Sequence, residues 1–123
     1  MSRVQRNKAQ IESLGEGRFR ISGLLDAGTV TPLLAESVDH FHGLPDVTID
    51  FHNVSQSDSS GLALLLEWLR LARKAGQKIH FKEVPEQIMA LARISEVDDL
   101  LIENGAEHPP EVVAAPEAAA ASG

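Results

Sequence analysis

The stretch SQSDSSGLALLLEWLRLARKAG, Ser55 to Gly76, holds the residues most able to do chemistry: Ser55, Ser57, Ser59 and Ser60 crowd around Asp58, directly before the most apolar run of the chain. A hydroxyl in such a setting can act as a nucleophile, accept a phosphate or cap a helix. Nucleophilic catalysis needs a base and an oxyanion-binding loop. His52, Asp58 and Ser59 supply the residue types of a triad, but the chain has no Gly-x-Ser-x-Gly elbow and no recognisable oxyanion loop. His40 and His42 lie two apart, which sends them to different faces of a helix, and His52, His80 and His108 have no ligand-like spacing to them. There is no cysteine, and no Gly-x-x-x-x-Gly-Lys-Ser/Thr loop for a nucleotide. The chain therefore reads as non-enzymatic, with no cofactor and no metal.

Capping and phosphate acceptance both suit the cluster. Asp58 and Ser59 stand where they can accept from the free N–H groups that open a helix. Gly61 allows close approach just inside the first turn. A hydroxyl at a helix start also lies in the positive end of the helix dipole, where a phosphate would meet N–H donors. Asp58 opposes that second use, because its charge repels a phosphate.

The elements that position this cluster follow from periodicity. Alternation on either side of Gly15-Glu16-Gly17 predicts a β-hairpin. Val30, Leu33, Leu34, Val38 and Phe41 recur at helical steps after a cap at Asp26 or Thr29, with Pro32 expected in the first turn. Val47, Ile49 and Phe51 alternate with polar residues and predict a strand over DVTIDFHN, followed by a serine-rich loop containing Ser55 and Ser57. A helix is expected from about Ser60 to Ala75, then a strand at KIHFKEV, a helix at PEQIMALARIS and a short helical piece at EVDDLLI. The predicted order is β-β-α-β-α-β-α-α. Single helices between strands imply parallel pairing, so the fold class is α/β, with a mixed sheet of about four strands and an antiparallel opening hairpin.

The long helix carries two apolar stripes. Leu62, Leu65, Leu66, Leu69 and Ala72 form one; Leu64, Trp68, Leu71 and Ala75 form the other. A helix lying on one sheet needs a single stripe. The second is either covered by the first helix and the tail, with Trp68 at the edge of the core, or is a patch for another protein.

The formal net charge is −7 and no basic stripe stands out, which argues against nucleic-acid binding. No apolar run approaches the roughly 20 residues that cross a bilayer, and no signal-like apolar segment follows the basic start. A cytoplasmic protein is expected. Residues 1–9 read as a flexible N-terminus, 10–102 as one domain, and 103–123, rich in Ala, Pro and Glu, as a disordered tail.

The segment VTIDFHNVSQSDSSGLALLLEWLRLARKAGQKIHF resembles the STAS domain of anti-sigma-factor antagonists, whose signature is a strand, then Asp-Ser/Thr-x-Gly-Leu, then a helix. The resemblance covers about residues 10–102. GLALLLEWLRLARKAG and VPEQIMALARISEVDDLL look most like the MlaB branch, the small cytoplasmic STAS subunits of Mla-type phospholipid-trafficking ABC transporters. It implies a STAS fold and a subunit that binds the transporter ATPase, supports its assembly and activity, and is peripheral to the inner membrane through that complex. The first hydroxyl after the aspartate is the family's regulatory or phosphorylatable position, here Ser59. The partner surface expected from this helix start and the second apolar stripe comprises Asp58, Ser59, Ser60, Gly61, Leu64, Trp68 and Leu71. The alternative is an anti-sigma factor antagonist, controlled by phosphorylation of Ser59 by an anti-sigma factor kinase.

Overall fold

A computed structural model describes residues 9–105. The order is β1 (Gln10–Gly15), β2 (Arg18–Leu25), α1 (Ala27–Phe41), β3 (Asp46–Ser57), α2 (Ser59–Ala75), β4 (Lys78–Lys82), α3 (Glu86–Ile94) and α4 (Asp98–Glu103). The expected β-β-α-β-α-β-α-α sequence of elements is the observed one. The strands form one sheet in the order β1-β2-β3-β4. β1 and β2 are antiparallel across a two-residue turn at Glu16 and Gly17, both with positive φ; β2, β3 and β4 are parallel.

Successive right-handed crossovers between neighbouring strands place their helices on the same side of a sheet. The burial pattern agrees. Ile11, Phe19, Ile21, Val47, Ile49, Phe51, Ile79 and Phe81 are buried, and they alternate with exposed or half-buried polar residues on the other face. Across that polar face the register aligns Glu12, Arg20, Asp50 and Lys82 on the four strands. Charges of alternating sign suit a solvated sheet surface, because each neighbour is an opposite charge.

α2 lies in the middle of the helical layer and contacts α1, α3 and β4. This answers why it needs two apolar stripes. Leu62, Leu64, Leu65, Trp68 and Ala72 are all buried. Trp68 is 1% exposed, its ring centroid 5.9 Å from Phe41 of α1 and 6.2 Å from Phe51 of β3. The indole Nε1 donates to Ser37 Oγ of α1 at 2.8 Å, and that hydroxyl donates to the Leu34 carbonyl at 2.7 Å. A buried indole N–H needs such a partner. The reading of Leu64 and Trp68 as a partner-facing stripe is thus corrected: α1 covers that face. Leu71 is half-buried at a groove of about 400 Å³ shared with Val38 and Phe41.

Three boundaries also differ from expectation. β3 continues through Ser57, so Ser55 and Ser57 are strand residues and not part of a loop. Asp26 is the α1 cap, which leaves Pro32 a turn further inside the helix than expected. α4 runs through Glu103, and the Phe81 N–H donates to the Asn104 carbonyl at 2.8 Å, so the fold extends past the tail boundary placed at 103. The regions 1–8 and 106–123, which include most of the expected flexible ends, lie outside the described residues.

Candidate functional site

Because β2, β3 and β4 run parallel, the helices that follow them all begin at the same end of the sheet. Binding sites of parallel α/β sheets collect at this end, where loops leave the strands' carboxyl termini. The starts of α1 and α2 are tied together there: the Asp58 N–H donates to the Leu25 carbonyl at 3.1 Å, joining the ends of β2 and β3.

The two starts use the same residue type differently. At α1, Asp26 Oδ1 accepts from the Gly28 N–H at 2.9 Å and the Thr29 N–H at 3.1 Å, while Thr29 Oγ1 accepts from the Asp26 N–H at 2.9 Å. That is a complete capping box. At α2, Asp58 Oδ1 accepts from the Ser60 N–H alone, at 2.7 Å. The position that would return a bond is Gly61, which has no side chain. Ser59 is the first helical residue; it is exposed, and among the described residues no hydrogen bond engages its hydroxyl. The Ser59 side chain is therefore free for a partner or a modifying group.

Gly61 is required by close approach. A Cβ there would lie 1.9 Å from Ser57 Oγ, 3.2 Å from Ser57 Cβ and 3.1 Å from Ile88 Cδ1 of α3. Gly61 thus lets the first turn of α2 seat against the end of β3 and against α3. Ser57 belongs to the same arrangement, its hydroxyl donating to the Asp58 carbonyl at 3.0 Å. No pattern in the sequence marks this role, because Ser57 stands outside the recognised signature.

Of the seven residues expected at the partner surface, the structure gathers Asp58, Ser59 and Ser60 at the exposed start of α2 and buries Gly61 just behind them. Leu64 and Trp68 point into the core, and Leu71 lies in the groove toward α1. The outer face of α2 that continues from Ser59 is instead Ala63, Glu67, Arg70 and Lys74, at helical steps of four, eight, eleven and fifteen. Arg70 Nη2 is 2.6 Å from Glu67 Oε2. This hydrogen bond, more than the charge alone, holds the Glu67 carboxyl below its ordinary value and raises Arg70 above its own. The ridge was legible in principle, as the polar complement of the apolar stripes.

A rim of carboxylates surrounds the helix starts: Asp26, Asp58 and Glu86, the last being the first residue of α3. Glu86 is paired with Arg93 on its own helix. A phosphate on Ser59 would stand beside the Asp58 carboxylate, so it would change the charge of this surface strongly. No group of three or more His, Cys, Asp or Glu side chains suited to a metal occurs among the described residues. No described helix is long and apolar enough to cross a membrane.

Comparison with known proteins places this geometry in a family. The family model described as "Mlab, STAS domain" matches residues 10–103. The intermembrane phospholipid transport system binding protein MlaB of Escherichia coli (strain K12) is 34% identical over 74 residues, which span 60% of this chain and 74% of that protein. The same protein of Shigella flexneri matches equally. Among solved structures, the anti-sigma factor antagonist SpoIIAA in its unphosphorylated form superposes with a TM-score of 0.59 at 18% identity, covering 84% of this chain and 90% of that one. A sulfate transporter family protein from Wolinella succinogenes also gives 0.59, at 17% identity, covering 84% and 87%. At these identities the structural likeness establishes the fold. Together with the strand, the Asp58-Ser59-Ser60-Gly61-Leu62 turn and the helix that follows, the matches show that the chain belongs to the MlaB-type STAS domain family.

Proposed function

We propose that this protein is a non-enzymatic accessory subunit of an Mla-type phospholipid-trafficking ABC transporter, and that it binds the cytoplasmic ATPase of that transporter through the exposed start and outer ridge of α2. The observation that carries this reading is the open cap at Asp58. It leaves Ser59 exposed at the head of a polar ridge, on a domain whose curated relatives are phospholipid transport system binding proteins. Ser59, Asp58 and Ser60 make the upper contact, and Ala63, Glu67 and Arg70 continue it down the helix. Such a surface recognises a partner by hydrogen bonds and charge more than by apolar area. Docking would favour the assembled, active arrangement of the ATPase to the extent that the contact is tighter in that state.

The test is co-purification of the protein with its cognate ATPase, together with the ATPase rate of the complex. Ser59→Asp and Ala63→Arg are expected to reduce complex yield at least tenfold, about 1.4 kcal/mol. Unchanged yield and rate for both variants would remove this interface. Leu64→Asp is unsuitable as a probe, because it would place a charge in the core and report on folding.

A second reading, partner switching controlled by phosphorylation, is supported by the free Ser59 hydroxyl at a helix start. Incubation with a candidate anti-sigma factor kinase and ATP separates the two readings. A mass shift lost in Ser59→Ala and kept in Ser60→Ala favours switching, and its absence favours the transporter role.

A further inference from the structure

The groove of about 400 Å³ at which Leu71 sits runs between the C-terminal halves of α1 and α2, at the end of α2 opposite Ser59. Phe41, Trp68 and Ile79 line it and are buried, so they form its floor. Val38 also lines it and is 49% exposed. The charged and titratable lining consists of Lys74, in the last turn of α2, and His42, the C-cap of α1. No carboxylate lines it: Asp39 and Glu67 each adjoin a lining residue in sequence and still lie outside. The chain carries 18 Asp and Glu against 11 Lys and Arg, so a lining without a carboxylate sets this groove apart from the acidic chain around it.

The side-chain donors of the floor are already used. Trp68 Nε1 donates to Ser37 Oγ, and Ser37 Oγ to the Leu34 carbonyl. Gln77 Nε2 donates to the Phe41 carbonyl at 2.7 Å and to the Leu44 carbonyl at 2.8 Å. Anything seated on the floor therefore meets apolar contact and no free side-chain donor, and its polar end must stay at the rim. Helix C-termini ordinarily repel an anion. Here the Gly76 and Gln77 N–H groups take the Arg73 and Ala72 carbonyls, and Gln77 takes that of Phe41, so the carbonyls beside Lys74 are engaged. The volume lies at the lower end of the roughly 300–1,000 Å³ of small-molecule sites, which suits a chain of medium length.

We propose that this groove binds an apolar carboxylic acid of medium chain length. The alkyl chain lies on Phe41, Trp68 and Ile79 between Val38 and Leu71, and the carboxylate stays at the rim with Lys74. The site is independent of the α2 start, so it stands or falls apart from the ATPase contact.

The test is titration of the full chain with decanoate below its micelle concentration. Trp68 is the only tryptophan and the chain has no tyrosine, so its emission reads the groove floor directly. Decanoate is expected to change that emission saturably and to raise the thermal midpoint, as a ligand of the folded state must. Octanoate, two methylenes shorter, should bind about three- to tenfold more weakly. Lys74→Glu should weaken decanoate about three- to tenfold and leave decanol, which has the chain without the charge, unchanged. Val38→Glu, at an exposed position the fold tolerates, should weaken decanoate at least as much as Lys74→Glu does. Emission indifferent to decanoate, or a thermal midpoint that falls with it, overturns the proposal. So does binding that survives both variants, because the acid would then lie elsewhere. Emission that follows protein concentration and ignores decanoate also overturns it, and makes the groove an interface between copies.

Discussion

Ser59 and Trp68 lie on the same helix, and the fold treats them in opposite ways. Ser59 sits in the first turn, exposed, at a cap that satisfies only the Ser60 N–H. Trp68 sits in mid-helix, 1% exposed, enclosed by Phe41 and Phe51 and hydrogen-bonded to Ser37. The first holds polar capacity open; the second uses all of it internally. Apolar size, which makes Trp68 look like an interface anchor in the sequence, is here a consequence of the helix's central place between α1 and α3. On the proposed reading, recognition is left to the polar ridge, while the apolar arc holds the layers together.

The largest expected effect tests the buried half. Trp68→Ala should lower stability by about 3–5 kcal/mol, through lost burial and a cavity between α1, α2 and the sheet. At about 4–8 °C for each kcal/mol in a domain of this size, the thermal midpoint should fall by well over ten degrees. Ser37→Ala keeps the ring and removes the indole's acceptor, and should cost about 1–3 kcal/mol. Both changes are read by denaturant unfolding. The contrast breaks if Trp68→Phe leaves stability near wild type yet abolishes ATPase binding, since Trp68 would then be a contact residue.

Much of this arrangement was legible in the sequence. Alternation at Val47, Ile49 and Phe51 marked the central strand, and Asp58 with Gly61 and Leu62 marked the turn into α2. What was illegible depended on neighbours distant in the chain. The register slips between β2 and β3 after Arg20 and after Gly23 add residues to β3, breaking its period of two. Val54–Ser57 consequently read as loop while pairing as strand. The fate of the Leu64–Trp68 stripe depended on where α1 would lie, which no periodicity within α2 can state. Its one clue was Ser37, a polar residue on the buried face of α1, and its meaning appears only beside an indole N–H.

The two caps give a smaller and sharper comparison. Asp26 accepts two N–H groups and Thr29 returns a bond; Asp58 accepts one and receives nothing from Gly61. Asp26→Ala should therefore cost about 1–2 kcal/mol and Asp58→Ala about 0.5–1, both measured by chemical unfolding. Asp58→Ala should also weaken ATPase binding, because it frees the first turn that presents Ser59; Asp26→Ala should leave binding intact. An equal loss of binding in the two variants would mean that the ends of β2 and β3, joined by the Asp58–Leu25 bond, act as one surface.

The smallest effect on stability belongs to the residue with the largest expected effect on function. Ser59→Asp adds a negative charge at a helix start, which the dipole favours by about 0.3–1 kcal/mol. The Asp58 carboxylate beside it opposes that gain, and the site is open to solvent, so the net change should stay within about 0.5 kcal/mol. A variant that unfolds like wild type while losing its partner would separate the two halves of α2 cleanly. A Ser59→Asp protein destabilised by more than about 1 kcal/mol would instead show that the hydroxyl helps hold the first turn, and the open cap would have to be counted as part of the fold.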